Sequence, residues 1–172
     1  TPVDVADIDY SIMVSTGCTL LDLAISGGRT RYGGIPGGIL IEIFGTSGGG
    51  KTALLSEILG NVQAKNGIVQ ILDPEARLDQ EYARIYGVQY DDDHYDRPDT
   101  VVQSFTLARE FLVEHQREKI TMPINAVGMD SVAALSTELE LEKGDKMGQK
   151  RAKDLSQECR KICRALANSG NL

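Results

Sequence analysis

Cysteine is scarce in this sequence: Cys18, Cys159 and Cys163 are the three present. An odd count with no C-x-x-C pair and no nearby histidine argues against a disulfide framework or a zinc site. Cys159 and Cys163, four residues apart on an expected helix, read as packing residues. Long hydrophobic runs are also missing. No apolar stretch approaches membrane-spanning length, and Thr1-Pro2-Val3-Asp4 has neither the basic head nor the apolar core of a secretory signal. A cytoplasmic location with no membrane partner is therefore expected. The first residue is not Met, which suggests processing or an imposed boundary. Internal repeats and low-complexity segments are lacking too. Positive charge is in deficit, with a formal net charge of −7. That balance opposes non-specific nucleic-acid binding by the surface as a whole, so any DNA contact must come from a local patch. One stretch qualifies. From Lys143 to Arg164 there are eight basic side chains (Lys143, Lys146, Lys150, Arg151, Lys153, Arg160, Lys161, Arg164) against three acidic ones (Asp145, Asp154, Glu158). On charge alone a solvated helix face explains it equally well.

What is present is ordinary in amount: 172 residues, 41% hydrophobic and 25% charged, enough for one domain with a full core. The stretch that organises it is Gly45-Thr46-Ser47-Gly48-Gly49-Gly50-Lys51-Thr52, which fits G-x-x-x-x-G-K-[ST] at every fixed position. Ile39 to Phe44 ahead of it is apolar and of strand length, and Ala53 to Leu59 behind it has helical spacing. A strand that delivers the loop and a helix that leaves it make backbone N–H groups and the positive helix end converge on one anion. Lys51 is then placed for the β- and γ-phosphates and Thr52 for Mg²⁺. A bare Gly-rich turn before a helix would not need both flanks.

The remaining chain alternates strand and helix. A short helix follows Cys18 and ends at Ser26-Gly27-Gly28, and Arg29 to Gly38 reads as a loop. Lys65-Asn66-Gly67 stops the helix that leaves the P-loop. Ile68 to Leu72 is a buried strand closed by Asp73-Pro74-Glu75, and Asp79 to Tyr86 is a helix ending at Gly87. Asp91-Asp92-Asp93 lacks the ligand spacing of a calcium loop and reads as a solvated turn. Thr100 to Ser104 fits a strand or a helix start, Phe105 to Lys119 is helical, and Ile124 to Asp130 is a second buried strand. Val132 to Lys143 fits strand or helix, Gly144 to Gly148 is a turn, and Gln149 to Ala167 is a long polar helix. This order predicts an α/β fold of the P-loop NTPase kind, with a mostly parallel sheet flanked by helices on both faces. Ligands in such sheets bind beyond the carboxyl ends of the strands. Asp73, Glu75 and Asp130 all fall there. Asp130 fits a second, water-linked Mg²⁺ position, and Glu75 fits a carboxylate that orients an attacking water. A capping role for Asp130 and a surface role for Glu75 are the plain alternatives.

Several segments together resemble the RecA family of recombinases over nearly the whole chain. Ser15-Thr16-Gly17-Cys18 with Leu20-Leu21-Asp22 is similar to that family's lead-in. Ile71 to Asp79 resembles the segment carrying its catalytic glutamate, and Asp130-Ser131-Val132-Ala133-Ala134-Leu135 is the most specific match. The resemblance implies a RecA-like ATPase core over residues 1–172, with 1–38 as lead-in and the later part of the core missing. It implies that Glu75 is the catalytic glutamate and that Asp79 and Tyr82 contact adenine. It further implies that Glu142 to Gly148 is a DNA-binding loop, with Lys146 and Met147 in it, and that Arg151, Lys153 and Arg160 approach phosphates, in line with the basic stretch. Affinity for single-stranded DNA would then fall as salt rises. The cofactors implied are ATP and Mg²⁺, and the assembly a homo-oligomeric filament. Ala76 departs from the histidine usual in bacterial members, and residues 29 to 38 are longer than in most of them. A nucleotide-binding module without hydrolysis and a hexameric helicase or clock-type ATPase are the alternatives in other classes.

Overall fold

A computed structural model describes residues 13–28, 33–119, 122–137 and 148–172. Its centre is a three-stranded parallel sheet. β3 (Val69–Leu72) lies between β4 (Tyr95–Asp96) and β5 (Ala126–Met129). The register pairs Leu72 with Asp96 on one side and with Met129 on the other. A separate antiparallel pair joins β1 (Met13–Val14) to β2 (Ile35–Pro36).

Strand side chains alternate between faces, and the two cores follow that rule. Val69 and Ile71 of β3 and Ala126 of β5 pack with Ile58, Leu59 and Val62 of α2 (Lys51–Ala64) and with Ala83 of α3 (Gln80–Ile85). Leu72, Val127 and Met129 belong to the opposite core. There they meet Val101, Phe105, Phe111 and Leu112 of α4 (Val101–Glu114) and Ile162 and Leu166 of α5 (Gly148–Ser169). Helices therefore cover both faces of the sheet, as the alternation of segments predicts. A shorter helix, α1 (Thr19–Ile25), follows the lead-in. Its Asp22 carboxylate accepts from Ser15 Oγ at 2.6 Å and from Thr16 N and Oγ1 at 2.7 Å each. Burial pushes the Asp22 carboxyl upward, but these hydrogen bonds and the nearby Lys65 outweigh it and hold the group below its ordinary value.

Element ends follow local chemistry. Asn66 (φ 63°) and Gly67 stop α2, Asp79 caps α3 through Tyr82 N at 2.9 Å, and Gly87 (φ 85°) stops α3. The ambiguous segment at Thr100 resolves as a helix start, because Thr100 Oγ1 accepts from Gln103 N at 3.2 Å. α4 ends at Glu114 rather than Lys119, and α5 runs on to Ser169 before Gly170 (φ 67°) ends it. Asp91 closes the acidic turn by accepting from His94 N at 3.2 Å. Of the two helical cysteines, Cys159 is half-buried against the α4–α5 core, whereas Cys163 is exposed and does not pack there.

One expected element is not formed. Residues 39–44 have no strand partner among the described residues, and Leu40, Ile41 and Phe44 are 46%, 39% and 85% exposed. The cause is non-local, since an apolar strand is fixed by its neighbours and not by its own pattern. Gly38 N donates to Asn171 O at 2.7 Å. On the other side Leu172 N donates to Asn125 O at 2.8 Å, and Val127 N donates to Leu172 O at 2.9 Å. Asn171 and Leu172 thus sit between β5 and Gly38, so residues 39–44 have no ladder contact with β5.

Candidate functional site

The Gly-rich loop has a backbone that suits an anion. Gly48 and Gly50 have φ of +75° and +81°, a conformation that side chains resist. A Cβ at either would meet nothing within 4 Å, so the space over the loop is open. Gly50 is the N-cap of α2, whose first-turn N–H groups have no acceptor within the helix. Lys51 Nζ donates to the loop carbonyls Gly45 O at 3.1 Å and Thr46 O at 2.9 Å. The loop thus holds its own lysine over the cradle. These features fit a polyphosphate: first-turn N–H donors with no helix acceptor, a helix N-terminus and a lysine ammonium within reach.

The acidic half comes from the ends of β3 and β5. Their pairing continues one residue further, with Asp130 N donating to Leu72 O at 3.1 Å. The parallel register therefore brings Asp130 beside the turn that leaves β3. Thr52 Oγ1 donates to Asp130 Oδ2 at 2.5 Å, joining the start of α2 to that strand end. Ser131 Oγ donates to Glu75 Oε1 at 3.2 Å, and Arg77 Nη1 pairs with Glu75 Oε2 at 2.5 Å. Thr52, Asp130, Ser131 and Glu75 thus form one continuous series of neighbours. Among the described residues no group of three or more His, Cys, Asp or Glu could hold a metal by itself. Thr52 and Asp130 supply two oxygen donors, a set that suits Mg²⁺ when phosphate oxygens and water complete its shell.

Asp73 serves this turn structurally. It is buried, and its Oδ2 accepts from Leu78 N at 2.8 Å and from Tyr95 Oη at 2.7 Å. Ala76 adopts φ 53° immediately after Glu75. A left-handed alanine costs roughly 1 kcal/mol, and Asp73 holds the turn that imposes it. Burial, chiefly, and the hydrogen bond to Asp73 raise the Tyr95 phenol above its ordinary range.

The other sequence-derived residues lie elsewhere. Asp79 caps α3, and Tyr82 is partly exposed with its ring 5.1 Å from that of Tyr86. Arg151 Nη2 donates to Val132 O at 3.3 Å and also to Ala133 O, so its guanidinium braces the turn after Ser131. Lys153 and Arg160 are exposed, and their seven-residue spacing puts them within about 20° of each other around α5. Lys146 and Met147 lie outside the described residues. Sequence reasoning did not find the Ser131 to Glu75 contact or the role of Arg77. Both depend on a turn that closes over 56 positions or on a local ion pair with no motif behind it.

Comparison with known proteins places these features in a family context. The model for the RecA N-terminal domain matches residues 4–172. The protein RecA of Syntrophus aciditrophicus is 37% identical over 164 residues, 94% of this chain and 44% of that protein. The protein RecA of Clostridium acetobutylicum is 36% identical over 168 residues, 96% of this chain and 44% of that protein. That of Frankia alni is 38% identical over 159 residues, 91% of this chain and 42% of its own length. The chain thus spans less than half the length of these curated relatives.

Proposed function

The chain belongs to the RecA family, and on that premise we propose that it is the ATP-binding core of a cytoplasmic, DNA-dependent ATPase that forms filaments on single-stranded DNA and promotes strand exchange. The observation that carries this reading is the series Thr52, Asp130, Ser131 and Glu75 beside an open P-loop. A phosphate loop alone suits many functions, but a carboxylate held next to the Mg²⁺-side acid adds the group that hydrolysis needs.

ATP with Mg²⁺ supplies the transferable phosphoryl group and neutralises its charge. The residues of Gly45 to Thr52 hold the polyphosphate, with Lys51 exchanging its loop carbonyls for phosphate oxygens. Thr52 and Asp130 hold the cation side. Glu75 orients water and accepts its proton. Asp79 and Tyr82 take the adenine. Lys153 and Arg160, with Arg151 and with Lys146 and Met147 ahead of them, form the DNA-facing side, where Met147 is an apolar wedge between bases.

ATP hydrolysis measured with and without single-stranded DNA tests the reading. Stimulated turnover is expected. Lys51→Ala is expected to abolish nucleotide binding, whereas Glu75→Gln keeps binding and loses turnover by about 100-fold or more. Nucleotide binding with no turnover in the parent protein would instead favour a binding module. Parental turnover in Glu75→Gln would show that another group handles the water.

A further inference from the structure

Ser131 sits at the N-cap of the 3₁₀ turn Val132–Ala134, the place where a serine ordinarily caps its own turn. It does not. Its side chain makes no capping hydrogen bond, and the turn is closed by the backbone, with Ala134 N donating to Ser131 O at 3.1 Å. The hydroxyl instead donates across 56 positions to Glu75 Oε1 at 3.2 Å. Its own position is fixed twice through the preceding residue, by Asp130 N on Leu72 O and by Thr52 Oγ1 on Asp130 Oδ2. The other oxygen of Glu75 is held by Arg77, whose side chain is 82% exposed. An ion pair that open to solvent fixes geometry weakly, whereas the Ser131 contact is anchored to the end of β5, which pairs with β3.

We propose that Ser131 is a positioning residue for Glu75: its hydroxyl sets the direction of the carboxylate and ties that direction to the Thr52–Asp130 side of the site. The inference rests on the reading of Glu75 as the water-orienting group. A glutamate has several rotatable bonds, and one oxygen pinned by a fixed donor removes most of that freedom before the reaction begins. Because Ser131 follows Asp130 directly, any adjustment of the cation-side acid is passed to the base through a single peptide unit.

The experiment measures DNA-stimulated ATP hydrolysis in the polypeptide as the cell makes it, with nucleotide affinity measured separately. Ser131→Ala is expected to lower kcat roughly tenfold with KM and nucleotide affinity within about twofold. Ser131→Thr keeps the hydroxyl and is expected to restore most of the rate. Ser131→Cys, similar in size but a far weaker donor, should fall between them, and it decides the matter if the alanine variant does not fold. In a Glu75→Gln background Ser131→Ala should cost nothing further. Parental kcat in Ser131→Ala alongside an inactive Glu75→Gln would overturn the proposal alone, as would a Thr variant no faster than Ala. An inactive parent, or an active Glu75→Gln, would overturn the reading of Glu75 and this inference with it.

Discussion

At Gly60, in the middle of α2, alanine would ordinarily favour a helix by about 1 kcal/mol. The structure sets a larger opposing effect against that preference. A Cβ at Gly60 would lie 2.6 Å from Tyr86 O and 2.9 Å from Gly87 C, which are backbone atoms that cannot rotate away. Overpacking of this kind costs about 1–3 kcal/mol, so Gly60→Ala is expected to destabilise despite its propensity. A urea titration checks the sign, and a midpoint higher than the parent's would mean that α2 does not approach this turn so closely. Gly60 thus lets α2 lie against the end of α3. Much of the candidate site was readable at this same scale. Lys51, Thr52, Asp130 and Glu75 each follow a strand or loop pattern, but the hydroxyl of Ser131 carries no such mark. Its partner is decided by the β3–β5 register, which no single residue records.

Between elements, the pairing of α4 with α5 includes a buried acid beside its apolar core. Glu158 Oε1 accepts from Lys161 Nζ at 2.6 Å, and Glu158 Oε2 pairs with Arg109, which reaches across from α4. Burial pushes the Glu158 carboxyl up, but the hydrogen bonds from Lys161 and Arg109 and their charges outweigh it, leaving the group below its ordinary value of 4.5. A depressed carboxylate contributes stability that is present above the unfolded value and lost as pH falls through the folded one. The parent is therefore expected to lose stability below about pH 4.5, and Glu158→Gln to lose less over the same interval. Thermal unfolding of both across that range is the check. Asp22 shifts in the same direction, so the comparison between parent and variant isolates Glu158. At this scale α2, α4, β3 and β5 were legible because each carries its own periodicity. Residues 39–44 were misread as a formed strand. Their β-branched pattern was sound, but a strand exists only where another chain segment completes its hydrogen bonds.

For the molecule as a whole, the exposure of Leu40, Ile41 and Phe44 leaves an apolar edge next to the Gly-rich loop. Unpaired apolar edges associate. The 172-residue polypeptide is expected to self-associate with rising concentration, and Phe44→Lys to raise the concentration needed by on the order of tenfold. Sedimentation across a dilution series reads this directly, and a parent that stays monomeric at high concentration would contradict it. The α/β class and the helix-covered parallel sheet were readable from the order of segments. How far the sheet extends was not, because extent depends on pairings between distant parts of the chain.

The hydrogen bond from Gly38 to Asn171 and the helix start at Lys51 bound one short segment between them. A strand laid against residues 39–44 and an anion bound at residues 45–52 would act on the same stretch of backbone. Each fixes what the other must otherwise order. Linkage then makes the effect reciprocal: whatever factor the strand adds to anion affinity, the anion returns to the strand.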